Sequence, residues 1–261
     1  MSAAPPRRGT RRGVSLLPSL FTLANVFCGW SCVVYAMRGE LETAAPFIGM
    51  AMVLDMLDGR IARMTGTESE FGLQLDSLAD IISFGMAPAV LAYAWGLAPL
   101  GRLGWGVGFL FLTGAALRLA RFNIQKVTDK RYFVGLASPA AAAIVASTVF
   151  YYPTGLHTRP QAFLGVALVV VPALLMVSTI RFRSFKTIDL STRRRYQILI
   201  ALAGFIVLLV TFPHEVLLTM AYAYLASAFI ELAIHRIRRR GHHDADDKPH
   251  SDTLEDRSSE A

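Results

Sequence analysis

VLDMLDGRIARMTGTESEFGLQLDSLADIISFG, residues 53–85, decides how this chain folds and where its chemistry lies. Asp55 and Asp58 are three residues apart, and Asp76 and Asp80 are four apart, in or beside strongly apolar sequence. On helices, both spacings place side chains on one face, so each pair aims two carboxylates at one point. Carboxylates near hydrocarbon are costly unless neutralised. Divalent cations held between carboxylates would neutralise them, and paired cations serve phosphoryl transfer. Gly59 and Ala62 keep the backbone beside the first pair open to close approach, and Gly72 lies one turn before Asp76. Arg63 adds a fixed cation whose fork suits phosphate.

Written as a pattern, the stretch is D-x2-D-G-x2-A-R-x8-G-x3-D-x3-D, with Asp55, Asp58, Gly59, Ala62, Arg63, Gly72, Asp76 and Asp80 in the fixed places. It matches without a gap the signature of the CDP-alcohol phosphatidyltransferase family, which the chain resembles. The resemblance implies a membrane enzyme in which an alcohol attacks a CDP-activated lipid and CMP leaves. It implies Asp55, Asp58 and Asp76 as ligands of Mg2+ or Mn2+, two ions in all. Asp80 is implied as the general base and stands in the ligand set as well. Asp58, Gly59, Ala62, Arg63 and Gly72 are implied to border the CDP-lipid. The bland reading, buried polar residues that merely pair helices, does not call for four convergent acids.

Outward from this stretch the chain is apolar. Hydrophobic residues make up 54% and charged residues 17%, which points to an integral membrane protein. Apolar runs predict eight transmembrane helices: Leu16–Met37, Ala44–Arg63, Phe71–Trp95, Leu103–Asn123, Ala137–Tyr152, Ala162–Ile180, Tyr196–Phe212 and Val216–Ile234. The second and fifth are weak on hydropathy alone. Charge supports both. With eight spans, the basic clusters at 7–12, 118–131, 181–195 and 236–240 all fall on one side, together with Arg60 and Arg63. By the positive-inside rule that side is the cytoplasm, and both termini face it. The expected fold is an all-α polytopic membrane helix bundle. The net charge of +7 is confined to membrane edges, which argues against a nucleic-acid partner and for the lipid bilayer.

Residues 1–15 read as a disordered basic arm, 16–236 as one membrane domain, and 237–261 as a basic-then-acidic disordered tail. The N-terminal apolar run is too long for a typical signal core and reads as an uncleaved first span. A compact chain of this kind suits a prokaryotic cytoplasmic membrane. Cys28 and Cys32, four apart on one helix, read as packing residues. The absence of a detectable internal repeat weighs against an ion-coupled transporter built from duplicated halves. Gly104 and Gly108 form a G-x-x-x-G that fits close packing inside the protomer or a homodimer interface equally well.

The acid motif names the donor and not the acceptor. FTLANVFCG (21–29), FGLQLDSLADIISFGMAPA (71–89), LRLARFN (117–123), RYFVGLASPAAAA (131–143) and RSFK (183–186) resemble the phosphatidylserine synthase branch of the family. Ser19 and Ala137 depart from that branch, where Asn and Pro are usual. The resemblance implies CDP-diacylglycerol and L-serine as substrates, with phosphatidylserine and CMP as products. Arg118 and Arg121, three apart, can face one cavity and bind the serine carboxylate or a donor phosphate. Asn123 adds a hydrogen-bonding group, and Lys186 is a candidate phosphate contact. Positive-inside placement alone is the competing explanation for these cations. Sister enzymes using glycerol 3-phosphate or inositol phosphate would need a denser cationic pocket. The active site is expected to open to the cytoplasm.

Overall fold

The computed structural model describes residues 16–67, 69–124, 132–156, 158–178, 181–183, 195–227 and 229. The N-terminal arm, Lys186 and the C-terminal tail lie outside the described residues. Among those described, helices occupy all eight expected places: α1 Leu16–Met37, α2 Leu41–Thr65, α3 Glu70–Leu100, α4 Arg102–Ile124, α5 Ser138–Tyr151, α6 Arg159–Val177, α7 Arg195–Thr211 and α8 Pro213–Ser227. Two three-residue strands interrupt the helical order. β1 (Tyr132–Val134) pairs antiparallel with β2 (Arg181–Arg183), placing Phe133 opposite Phe182. The all-α expectation holds for the bundle, and this short ribbon is an addition to it.

Helices α1, α3, α4 and α6 are each long and apolar enough to cross a bilayer. A fifth crossing arises if the paired segments Leu202–Thr211 and Pro213–Ser227, which meet at a bend of 118°, act as one. The sequence expectation was a separate crossing for each. Pro213 explains the break, since it cannot continue the preceding helix. Helix α2 is 25 residues long but carries the charged motif, and α5 has only 14 residues. A count of eight crossings therefore goes beyond what length and hydropathy establish.

Local chemistry writes the hairpin that matters. Gly39, at φ 78°, turns the chain between α1 and α2, which pack antiparallel. Helix α2 stops at Gly66, whose left-handed φ of 61° suits glycine and whose N–H donates to the Ala62 carbonyl. Three residues later Ser69 caps α3, its hydroxyl accepting the Gly72 N–H at 3.0 Å. Helix α3 widens into a π turn at Ile81–Met86, immediately after Asp80 and before Pro88. Proline removes a backbone donor and crowds the preceding turn, and a widened turn accommodates both effects.

Small residues let the helices approach. A Cβ on Gly104 would overlap the Leu97 carbonyl oxygen, and one on Gly108 would sit 3.6 Å from that of Ala89. The G-x-x-x-G motif thus packs α4 against α3 within the protomer. Gly135, at φ 81°, approaches Met176, where a Cβ would stand 2.6 Å from the carbonyl oxygen. Leu136 N–H donates to Leu175 O at 3.0 Å, so the start of α5 is tied to the end of α6. The buried core runs through Ile48, Phe84, Leu91, Phe111, Ile144 and Met176. Phe27, Trp30, Trp105, Phe109, Ile200 and Val207 are exposed, as expected of side chains facing lipid.

Candidate active site

Helices α2 and α3 deliver the acids to one place. One carboxylate oxygen from each of Asp55, Asp76 and Asp80 lies within 4.8 Å of the others. At that spacing, two unit charges repel by roughly 3–4 kcal/mol at an effective dielectric near 20. Asp76 Oδ1 and Asp80 Oδ1 are buried and have no hydrogen-bond partner. Hard, closely spaced, under-satisfied oxygens suit a divalent cation such as Mg2+ or Mn2+. The residues present therefore fit such an ion.

Asp58 behaves differently. It is buried, and its Oδ2 accepts a hydrogen bond from Thr22 Oγ1 of α1 at 2.9 Å. It stands outside the three-carboxylate group, though near enough to interact electrostatically with Asp55 and Asp76. The four acids expected from the sequence are thus neighbours, with three converging and the fourth held by a threonine. Gly59 has nothing within 4 Å of where its Cβ would be, which leaves open space beside the acids. Ala62 is half-buried on the same helix. Arg63 is exposed and folds back so that its Nε donates to the Gly59 carbonyl at 2.9 Å. Gly72 serves the cap of α3: a Cβ there would meet Ser69 Oγ at 3.1 Å.

The two arginines of LRLARFN part company. Arg118 Nη1 donates to Ser138 Oγ at 3.0 Å, its buried Nε has no partner, and it lies within electrostatic reach of Asp80 and Tyr224. Arg121 Nη1 instead donates to the Val177 carbonyl at 3.0 Å, at the C-terminal end of α6. A cation there satisfies an end carbonyl and opposes the negative helix terminus. Asn123 Nδ2 donates to Ser77 Oγ at 3.0 Å, next to Asp76. Thr22, Ser77, Ser138 and Tyr224 were not expected from the sequence. A hydroxyl in an apolar helix carries no periodic signal, and each of these partners comes from a distant part of the chain.

An apolar cavity of about 960 Å³ lies between α2, α5 and the α7–α8 bend. Its walls come from Ala45 to Leu54 of α2, Ala137 to Phe150 along α5, and Leu209 to Tyr224 near the α7–α8 bend. Leu54 precedes Asp55 in the chain, Ala137 precedes Ser138, and Tyr224 interacts electrostatically with Arg118, so this end of the cavity is the one nearer the polar site. Along α2 it extends on the order of 13 Å toward Ala45.

The family model described as CDP-alcohol phosphatidyltransferase matches residues 15–180, a range that contains every acid of this cluster. The chain belongs to that family. Among curated relatives, a CDP-diacylglycerol–serine O-phosphatidyltransferase of Helicobacter pylori (strain ATCC 700392 / 26695) is 38% identical over 194 residues, covering 72% of this chain and 80% of the relative. The protein of the same description from Mycobacterium leprae (strain TN) is 31% identical over 241 residues, covering 89% and 79%. An archaetidylserine synthase of Methanothermobacter thermautotrophicus is 36% identical over 169 residues, covering 64% and 69%.

Proposed function

We propose that this chain is a CDP-diacylglycerol–serine O-phosphatidyltransferase. The L-serine hydroxyl attacks the phosphatidyl phosphorus, the bond to CMP breaks, and phosphatidylserine forms. The observation that carries the reading is the convergence of Asp55, Asp76 and Asp80 at positions of α2 and α3 that adjoin, through Leu54 of α2, a long apolar cavity. A CDP-lipid has that same division, with a charged pyrophosphate joining a soluble nucleotide to insoluble chains. The relatives described as serine transferases support the acceptor.

Each residue then has a task. Asp55, Asp76 and Asp80 would hold the divalent cations, Asp58 would support them from its bond to Thr22, and Gly59 and Ala62 leave room for the CDP moiety. Bound cations would neutralise the pyrophosphate and the charge that builds on departing CMP. Asp80 takes the proton from the serine hydroxyl; a carboxylate has two oxygens, so one can face the cluster while the other acts as base. Arg118, with an unpartnered Nε near Asp80, binds the serine carboxylate. The acyl chains lie in the apolar cavity. The basic clusters that fall on one side of the eight predicted spans support an opening toward the cytoplasm of a cell membrane, where serine is available.

The test supplies CDP-diacylglycerol with L-serine, glycerol 3-phosphate or inositol phosphate and measures CMP release. L-Serine should be the productive acceptor, and turnover should vanish when a chelator removes divalent metal. Faster release with either phosphorylated acceptor would transfer the assignment to a sister activity. Full turnover with all metal removed would end the cation reading.

A further inference from the structure

Among the described residues, five buried side-chain polar atoms have no hydrogen-bond partner, and they belong to Asp76, Asp80, Arg118 and Asn25. The first three have tasks in the proposed reaction. Asn25 has none, lies outside the family signature, and is completely buried with both Oδ1 and Nδ2 unpaired. Each buried polar group left unpaired costs about 1–3 kcal/mol, so an amide with two such atoms is a poor choice for mere packing. Leucine has a similar size and would carry no such penalty.

The surroundings say what the amide is near. Thr22, one turn earlier on α1, donates to Asp58. Helices α1 and α2 run antiparallel, so position 25, a turn beyond Thr22, is level with Asp55, a turn before Asp58. On the other side Ser83 Oγ donates to the backbone carbonyl of Asn25 at 2.9 Å, and Ser83 lies one turn past Asp80. The two backbones touch just above: a Cβ on Gly29 would stand 2.6 Å from Ser83 Oγ and 2.9 Å from Ser83 Cα. Asn25 is therefore fully buried and level with the turns of α2 and α3 that carry Asp55 and Asp80.

We infer that Asn25 is a positioning residue for the cation-binding carboxylates, its amide orienting Asp55 and Asp80 through buried water. Buried amides of this kind are paired by ordered water or ions in working proteins. Groups that orient metal ligands typically change metal affinity by about tenfold to a hundredfold when removed. The inference rests on the cation reading given above and extends it to a residue outside the acid cluster.

The experiment uses the full chain purified in detergent, with Mn2+ binding followed by electron paramagnetic resonance and unfolding followed by a thermal melt without metal. Asn25→Leu should weaken Mn2+ binding by about tenfold or more while its metal-free melting temperature stays equal or rises. Asn25→Ser, which keeps a donor and acceptor and leaves room for water, should bind more tightly than Asn25→Ala. That second pair decides the matter if the leucine variant does not fold. Wild-type affinity in Asn25→Leu, or equal affinities in the serine and alanine variants, overturns the inference and leaves the cation reading intact. A wild-type protein that binds no Mn2+ overturns both.

Discussion

Arg118 and Arg121 sit three apart in one short motif, yet their surroundings give them different work. Arg121 is committed to the Val177 carbonyl, whereas Arg118 keeps a free Nε beside Asp80. Arg118→Ala should raise the serine KM by about tenfold to a hundredfold, the loss of a hydrogen bond to a charged group, and change the donor KM less. Arg121→Ala should leave both KM values nearly unchanged and lower the melting temperature, since an end carbonyl of α6 loses its partner. A larger serine effect in the Arg121 variant would reverse the two roles. Asp80→Asn should abolish CMP release but retain CDP-lipid binding, because an amide cannot take the proton. Asp55→Asn should weaken binding as well as turnover, and binding losses of equal size would deny Asp80 its separate role. The acids were legible because their spacing repeats a helical face in otherwise apolar sequence. Thr22 and Ser138 were not, because what makes them important is a partner 36 or 20 positions away.

At the scale of elements, α1 has the limits read from its apolar run, and the α2–α3 hairpin is written in the glycine stop and serine cap that lie between the two acid pairs. Hydropathy by itself undervalues α2, because the residues that make it functional are charged; the placement of the arginines restores it. The π turn after Asp80 has no comparable signature, since only Pro88 hints that α3 must widen. Nor did the sequence separate the two uses of the G-x-x-x-G motif, because small residues permit contact without naming the neighbour. The fold does name it, and a substitution follows. Gly104→Leu must displace the Leu97 backbone and should cost about 1–3 kcal/mol of stability, as overpacked interiors do. Gly106 is the control, with nothing within 4 Å of its Cβ position. Gly106→Leu should melt near the wild-type temperature, and equal losses at both positions would remove the packing explanation.

For the whole molecule, the decisive arrangement is a polar centre at one end of a long apolar cavity, with helices from both halves of the chain forming its walls. Helix α2 contributes to both, carrying acids toward one end and Pro46, Gly49 and Val53 along the apolar wall. On the proposed reading, the head of the lipid is held by charge and the tails by burial, at roughly 0.8 kcal/mol for each methylene removed from water. Filling the cavity away from the acids should therefore affect the tails alone. Ala143 lines it, five residues beyond Ser138 on α5, and Ala143→Phe would occupy space that a chain needs. The expected result is a several-fold rise in KM for long-chain CDP-diacylglycerol, with the KM for serine and for a short-chain CDP-diacylglycerol close to wild type. Comparison across chain lengths removes the ambiguity of a damaged fold, which would lower turnover on every donor. If long and short donors respond alike while the protein melts normally, the acyl chains lie along another face of the bundle, and the acid cluster must receive its lipid from that side.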